Sequence, residues 1–334
     1  MRKLACTIIA LAIATPAMAN EVNIYSSRHY DTDDALYNKF TEQTGITVNR
    51  IEDDADILIE RIKSEGELSP ADVLVTVDVG RIIRAEDADI LKPLASAAAS
   101  EKVPAELHDD GDLWVGVTTR ARVIFYDKND VTEPPQTYAE LADPKYKGMV
   151  CTRSSSNVYM LSLMASIIEN DGEEAAKAWA EGVKNNFARD PAGGDTDQLR
   201  GLLSGECDIV LSNHYYYARA FRKEVEGLTD GVDQIGWVFP NQADRGTHIN
   251  ISAVGIVKHA PNEDNARTFV EYLLSPGAQK LLADGNDEFP VVDGVAPSEA
   301  VQNLGDFKRD SLPLAQFAPT VARAQEIYNE VGYK

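Results

Sequence analysis

Residues 113–130 read LWVGVTTRARVIFYDKND, an almost unbroken β-prone run. Strands in globular domains are usually about 5–6 residues long, and rarely more than about 10. A run of this length suits a segment that leaves one lobe of a protein and enters the next. On its N-terminal side, EVNIYSS, ITVNRIED and ADVLVTVD have strand patterns, and they alternate with DTDDALYNKFTEQTG and ADILIERIKSEG, which have helical spacing and end in glycine. Strand, helix, strand, helix, strand predicts a parallel α/β sheet covered on both faces.

On its C-terminal side, a Pro-rich turn (TEPPQTYAELADPKYKG) opens a second α/β series, beginning with MVCTRSSSNVYMLSLMASIIE and reaching QIGWVFP. HINISAVGIVKHAPN reads as a second crossing strand. The expected architecture is therefore two α/β lobes joined by crossing strands. Residues 20–118 with 247–296 form one lobe, and 119–246 with 297–334 form the other. A chain of 334 residues is long enough to give each lobe its own core. Open α/β sheets bind ligands beyond the carboxyl ends of their strands, which places the binding site in the cleft between the lobes.

The first twenty residues, MRKLACTIIALAIATPAMAN, combine Arg2 and Lys3, an apolar stretch and the small-x-small pattern Ala17-Met18-Ala19. This describes an export signal (residues 1–19) cleaved after Ala19. Cys6 lies ahead of the apolar stretch, which argues against lipid attachment. Two cysteines remain, Cys151 and Cys207, each at the start of a strand-like run. In an oxidising compartment they pair across adjacent strands or stay as two buried thiols. With 54 acidic against 32 basic residues the net charge is -22, a field that repels nucleic acid and attracts cations.

Tyrosines recur where a predicted strand ends and a helix begins. Tyr30 follows His29 in YSSRHY, Tyr159 closes RSSSNVY, and Tyr215 and Tyr216 lie in SNHYYYAR. In such a sheet these positions share one rim. A phenol has a reference pKa of about 10, so only a small, hard, highly charged cation readily displaces its proton. Ferric iron fits: three phenolates neutralise it and a fourth leaves one excess negative charge. Calcium, magnesium and zinc fit less well, because the chain has no EF-hand loop, HExxH or CxxC. No GxSxG elbow or phosphate-cradling glycine loop is present. Tyr25 reads as packing and His214 as a surface residue, while His29 is equally a ligand or a solvent-facing side chain. At least one tyrosine of the triplet must point away from the others, since adjacent helical residues do not share a face.

On YSSRHY, RSSSNVY, GECDIVLSNHYYYAR and NISAVGIVKHAPN, the chain resembles the periplasmic ferric-ion-binding proteins of bacterial ABC iron-uptake systems, especially the Fut-type subgroup. The resemblance implies the type II periplasmic-binding fold, with a hinge that closes two lobes on the ligand. It implies Tyr30, Tyr159, Tyr215 and Tyr216 as ligands of Fe(III), carried as cargo. Some members also use the histidine corresponding to His29. If the helix begins one residue later than expected, the pair becomes Tyr216 and Tyr217. Arg28, Arg153 and Arg219 lie near these ligands, where they would lower phenol pKa values or pair with carboxylates. The exposed N-H groups opening the helix after RSSSN suit an anion.

The implied partners are a membrane permease and its cytoplasmic ATPase, and a periplasmic monomer without enzymatic activity is expected. Competing readings are a carrier for a small organic or oxyanion solute, an exported hydrolase using Ser154 to Ser156 near His29, and an envelope adhesin.

Overall fold

The computed structural model describes residues 20–28, 30 and 32–334. The expected export signal and His29 lie outside the described residues. The chain begins β1 (Glu21–Ser26), α1 (Asp33–Thr44), β2 (Thr47–Glu52), α2 (Ala55–Glu65), β3 (Val73–Val77), α3 (Val79–Asp87), β4 (Leu91–Lys92) and α4 (Ala97–Lys102). Asp33 and Asp34 complement the positive end of α1. That helix stops at Gly45, whose φ of 72° lets its N–H return to the Thr41 carbonyl. Asp54 caps α2 by accepting a bond from the Asp56 N–H.

The long run forms one strand, β5 (Trp114–Asp127). Beyond it come β6 (Val150–Cys151), α5 (Val158–Asp171), α6 (Glu173–Asn185), α7 (Asp195–Leu203), β7 (Ile209–Asn213), α8 (His214–Arg222) and β8 (Ile235–Val238). The chain returns through β9 (Ile249–Val257), α9 (Glu263–Leu273) and α10 (Pro276–Asn286). It then runs through β10 (Phe289–Pro290) and α11 (Glu299–Gln302) to α12 (Ala318–Val331). Among the described residues no helix is long and apolar enough to cross a membrane.

The sheet runs in the order β2, β1, β3, β9, β5, β7, β6. β1 is parallel to both β2 and β3, but β9 is antiparallel to β3, so the sheet is mixed rather than wholly parallel. The cause is topological: the returning strand β9 inserts between β3 and β5. β5 belongs to both lobes. Its first half pairs with β9 as far as Ala121 against Ile249, and from Arg122 onward it pairs with β7. Near its start, the register slips between Gly116 and Thr118. A Cβ on Gly116 would sit 3.0 Å from the Leu107 carbonyl oxygen, so only glycine lets the strand pass there without displacement.

Burial divides accordingly. One core gathers side chains from Val22 to Val117 and from Ile249 to Val292, joined by Leu314 and Phe317. Two further clusters fill the remainder, around Trp179 and Tyr328 and around Phe125 and Tyr217.

Cys151 and Cys207 are joined by a disulfide, with Cα atoms 5.8 Å apart and a sequence separation of 56. In the chain-entropy account, opening a loop of that length costs about 4 kcal/mol. Reduction, or the Cys151→Ala/Cys207→Ala pair, is expected to lower unfolding stability by that order. Urea melts with and without dithiothreitol measure it, and coincident melts would refute it.

Candidate metal centre

Each tyrosine is aimed by the element that carries it. Tyr30 lies in the connection between β1 and α1. Tyr159 lies in the first turn of α5, where its N–H is bonded by the Asn157 side chain at 3.1 Å. Tyr215 and Tyr216 fall in the first turn of α8, which follows β7 directly. The structure brings these phenols together. The Tyr159 and Tyr215 oxygens are 3.3 Å apart, and the Tyr215 and Tyr216 rings lie 4.4 Å centroid to centroid. Tyr30 raises the pKa of both Tyr215 and Tyr216 through its charge, which places it in the same group. Tyr215 is fully buried, whereas Tyr30, Tyr159 and Tyr216 are half-buried.

Tyr217 turns the other way. Its ring packs on Phe125 at 5.0 Å and Trp237 at 5.6 Å, and its hydroxyl donates to the Val232 and Ile235 carbonyls. Tyr25 is a packed core residue. His214 corrects the sequence reading, which placed it on the surface: it is fully buried. α8 starts beneath β5, so the His214 Nδ1 accepts the Ala121 N–H at 3.2 Å and the ring stacks on Phe289 at 4.3 Å. Burial pushes its pKa down to about 3.

Under the phenols runs a network of buried charges. Arg28 grips Asp33 through two bonds and reaches Glu288 at 2.9 Å and Ser252 at 2.8 Å. Glu288 also faces Arg120, at 3.9 Å. Asp195, at the start of α7, pairs with Arg122 and with Arg153, the latter at 2.8 Å. It also accepts the Asn213 N–H at 3.0 Å. Cations face the rings directly: Arg28 lies 4.9 Å from the Tyr30 centroid, Arg153 5.3 Å from Tyr159, and Arg219 5.4 Å from Tyr216. Arg219 donates to Asn286 and has no acidic partner among the described residues.

The electrostatic outcome differs from the sequence expectation of lowered phenol pKa values. Burial raises Tyr30 to about 12, with Glu288 and Tyr159 adding to it and Arg28 and Arg120 opposing. Tyr215 and Tyr216 are also pushed well up, by burial first and then by neighbouring phenols. The arginines therefore soften a shift that desolvation sets. Arg120 is pulled down by burial but raised more by Glu288 and by Tyr159, Tyr215 and Tyr30, so it acts as the common cation of the group.

Sequence reasoning missed Arg120, Arg122, Asp195 and Glu288. A signal for the first two exists: two arginines at i and i+2 in an otherwise apolar strand point to one face and must find buried partners. Ser154 and Ser156 bond each other at 3.0 Å on an exposed surface. Among the described residues no group of three His, Cys, Asp or Glu side chains is placed to hold a metal.

Residues 69–306 match the family of bacterial extracellular solute-binding proteins. The chain belongs to that family. This solute-binding protein is 50% identical over 321 residues to iron uptake protein A1 of Synechocystis, covering 96% of this chain and 89% of the relative. It is 30% identical to the major ferric iron-binding protein of Neisseria gonorrhoeae, over 84% of each chain. Among solved structures, it superposes on the Trichodesmium protein (IdiA, FutA) in complex with iron and citrate ligands. The TM-score is 0.90 at 49% identity, over 94% of this chain and all of the other. The ferric binding protein from Campylobacter jejuni gives a TM-score of 0.88 at 41% identity, over 94% of this chain and 100% of the other. The fold is the two-lobed type II architecture of these neighbours.

Proposed function

We propose that this solute-binding protein captures ferric iron in the periplasm with the phenolates of Tyr30, Tyr159, Tyr215 and Tyr216 and hands it to an ABC permease driven by an ATPase. The observation that carries the reading is the convergence of four phenols from three distant segments, with two of their oxygens 3.3 Å apart. Relatives named for iron uptake and ferric binding support it. His29, next to Tyr30 in the chain, is a further nitrogen donor in this reading. The protein works as a monomer and transforms no substrate: it binds, carries and releases.

Charge selects the ion. Four phenolates around a trivalent cation carry one net negative charge, and Arg219, which has no acidic partner, stands over two of the rings to balance it. A divalent ion would leave a second, uncompensated charge in a buried site, which costs several kcal/mol.

Because burial holds Tyr30, Tyr215 and Tyr216 above their ordinary pKa, these phenols are protonated at neutral pH in the metal-free site. Every iron–phenolate bond must then release a proton, and conditional affinity should fall about tenfold for each pH unit of acidification and each phenol involved. A pH-stat titration with a ferric complex of known proton balance should count about four protons per ion bound, together with a visible phenolate-to-iron band. Release of one proton or none, or a colourless complex, would overturn the assignment.

A further inference from the structure

Segment 289–297, which follows α10, walls a pocket with Pro104, Gly305, Asp306, Phe307 and Arg309, about 390 Å³ in volume and lined by none of the clustered tyrosines. Its floor is aromatic. Phe289 and Phe307 lie 5.2 Å apart, and Phe307 stacks on Phe239 at 4.3 Å. The Arg309 guanidinium rests over both rings, 5.6 Å from Phe289 and 6.0 Å from Phe307.

Among the described residues these rings are the Arg309 guanidinium's only contacts within bonding range. It has no ion pair or hydrogen bond, alone among the described arginines, in a chain of net charge -22. Burial lowers its pKa, with Glu106 and Asp293 opposing from beyond ion-pair distance. Asp293 and Asp306 line the same pocket, and neither meets a cation within ion-pair distance among the described residues. A cation on an aromatic floor thus shares with two carboxylates that have no cation of their own a space at the lower end of the range for small-molecule sites, about 300–1,000 Å³.

We propose that this pocket binds a small zwitterion of the α-amino acid class, its carboxylate on Arg309 and its ammonium toward Asp293 and Asp306. An aliphatic body would lie against Pro104 and Val292. A plain anion would meet the two carboxylates and the protein's negative field, and a plain cation would meet Arg309. A neutral molecule carrying both charges complements each wall. The proposal does not depend on the iron reading, since none of the four phenols lines this pocket.

L-leucine is the probe, with isoamylamine lacking its carboxylate and 4-methylpentanoate lacking its ammonium. Calorimetry on the full mature protein should show saturable leucine binding, with both analogues weaker by about tenfold or more. Arg309→Gln and Asp293→Asn should each weaken leucine by a similar factor while ferric loading and circular dichroism stay unchanged. Asp293 is exposed, so its variant tests the site even if Arg309→Gln disturbs the fold. Absence of leucine binding at millimolar concentration, equal binding of 4-methylpentanoate, or leucine binding indifferent to both variants would overturn the proposal.

Discussion

Tyr215→Phe is expected to weaken ferric binding by roughly 10²- to 10³-fold while leaving the metal-free protein folded. A four-ligand structural zinc site holds its ion with about 10–16 kcal/mol, so one ligand accounts for about 3–4 kcal/mol, and a ferric phenolate bond belongs to the same order. The ring itself stays useful without its oxygen, packed 4.4 Å from Tyr216. Its hydroxyl contacts in the metal-free site are long, 3.3 Å to Tyr159 and 3.5 Å from the Asn213 amide, so their loss costs no more than about 1 kcal/mol. The Tyr215 phenol is neutral in the metal-free protein, so its loss removes no charge interaction from the fold. Competition titration and the intensity of the phenolate-to-iron band read the ligand role, and the metal-free melting temperature reads the fold. Tyr217→Phe is the matched control. Its hydroxyl donates to carbonyls in a core facing away from the phenols, so ferric affinity should not move. Unchanged ferric affinity in Tyr215→Phe, or an equal loss in Tyr217→Phe, would remove the proposed ligand set.

The addresses of the phenols were readable because they are local. In a strand–helix repeat, the residues after each strand share a rim, and the patterns of β1, β7 and α5 are carried by their own residues. β5 was readable for a related reason: both lobes bury it, so WVGV and VIFY frame the central TTRAR as one long strand. Pro276 at the first position of α10, with Ser275 capping it, is a signal of the same local kind. What stayed hidden depends on partners far along the chain. The antiparallel pairing of β3 with β9 joins Val77 to Ser252, and nothing in either segment states its direction. Glu288 reads as one acid among several in an acidic loop until Arg28, 260 positions earlier, is placed beside it. Asp195 reads as a helix-opening acid, although its two oxygens divide between Arg122 and Arg153. His214 was misread because the start of a helix is usually exposed. Its burial follows from β5 crossing above α8, which is a tertiary event.

His214 and His248 together make the metal-free protein acid-labile. Both are buried, and burial comes first among the causes that push each pKa down to about 3, with Arg245, Arg122 and Arg120 adding to the shift at His248. At His214, Glu288 opposes the shift and Arg120 adds to it. In the unfolded chain both rings titrate near pH 6.5. Below that pH the unfolded state binds protons that the folded state refuses, so stability is complete above about 6.5 and declines as pH falls toward 3. Each histidine costs about 1.4 kcal/mol per pH unit, or about 3 kcal/mol by pH 4.5, and the two together remove about 5 kcal/mol. That is a large share of a typical stability of about 5–15 kcal/mol. Carboxylates add their own acid dependence, so the decisive comparison is a variant. His248→Leu cannot take up a proton, and its urea-melt stability should fall by about 3 kcal/mol less than the parent between pH 6.5 and 4.5. The imidazole stands 5.4 Å from the Phe317 ring, where an aliphatic side chain packs equally well. If the two stability curves ran parallel across that interval, His248 would be taking up its proton in the folded protein, and its environment would be far wetter than the buried position described here.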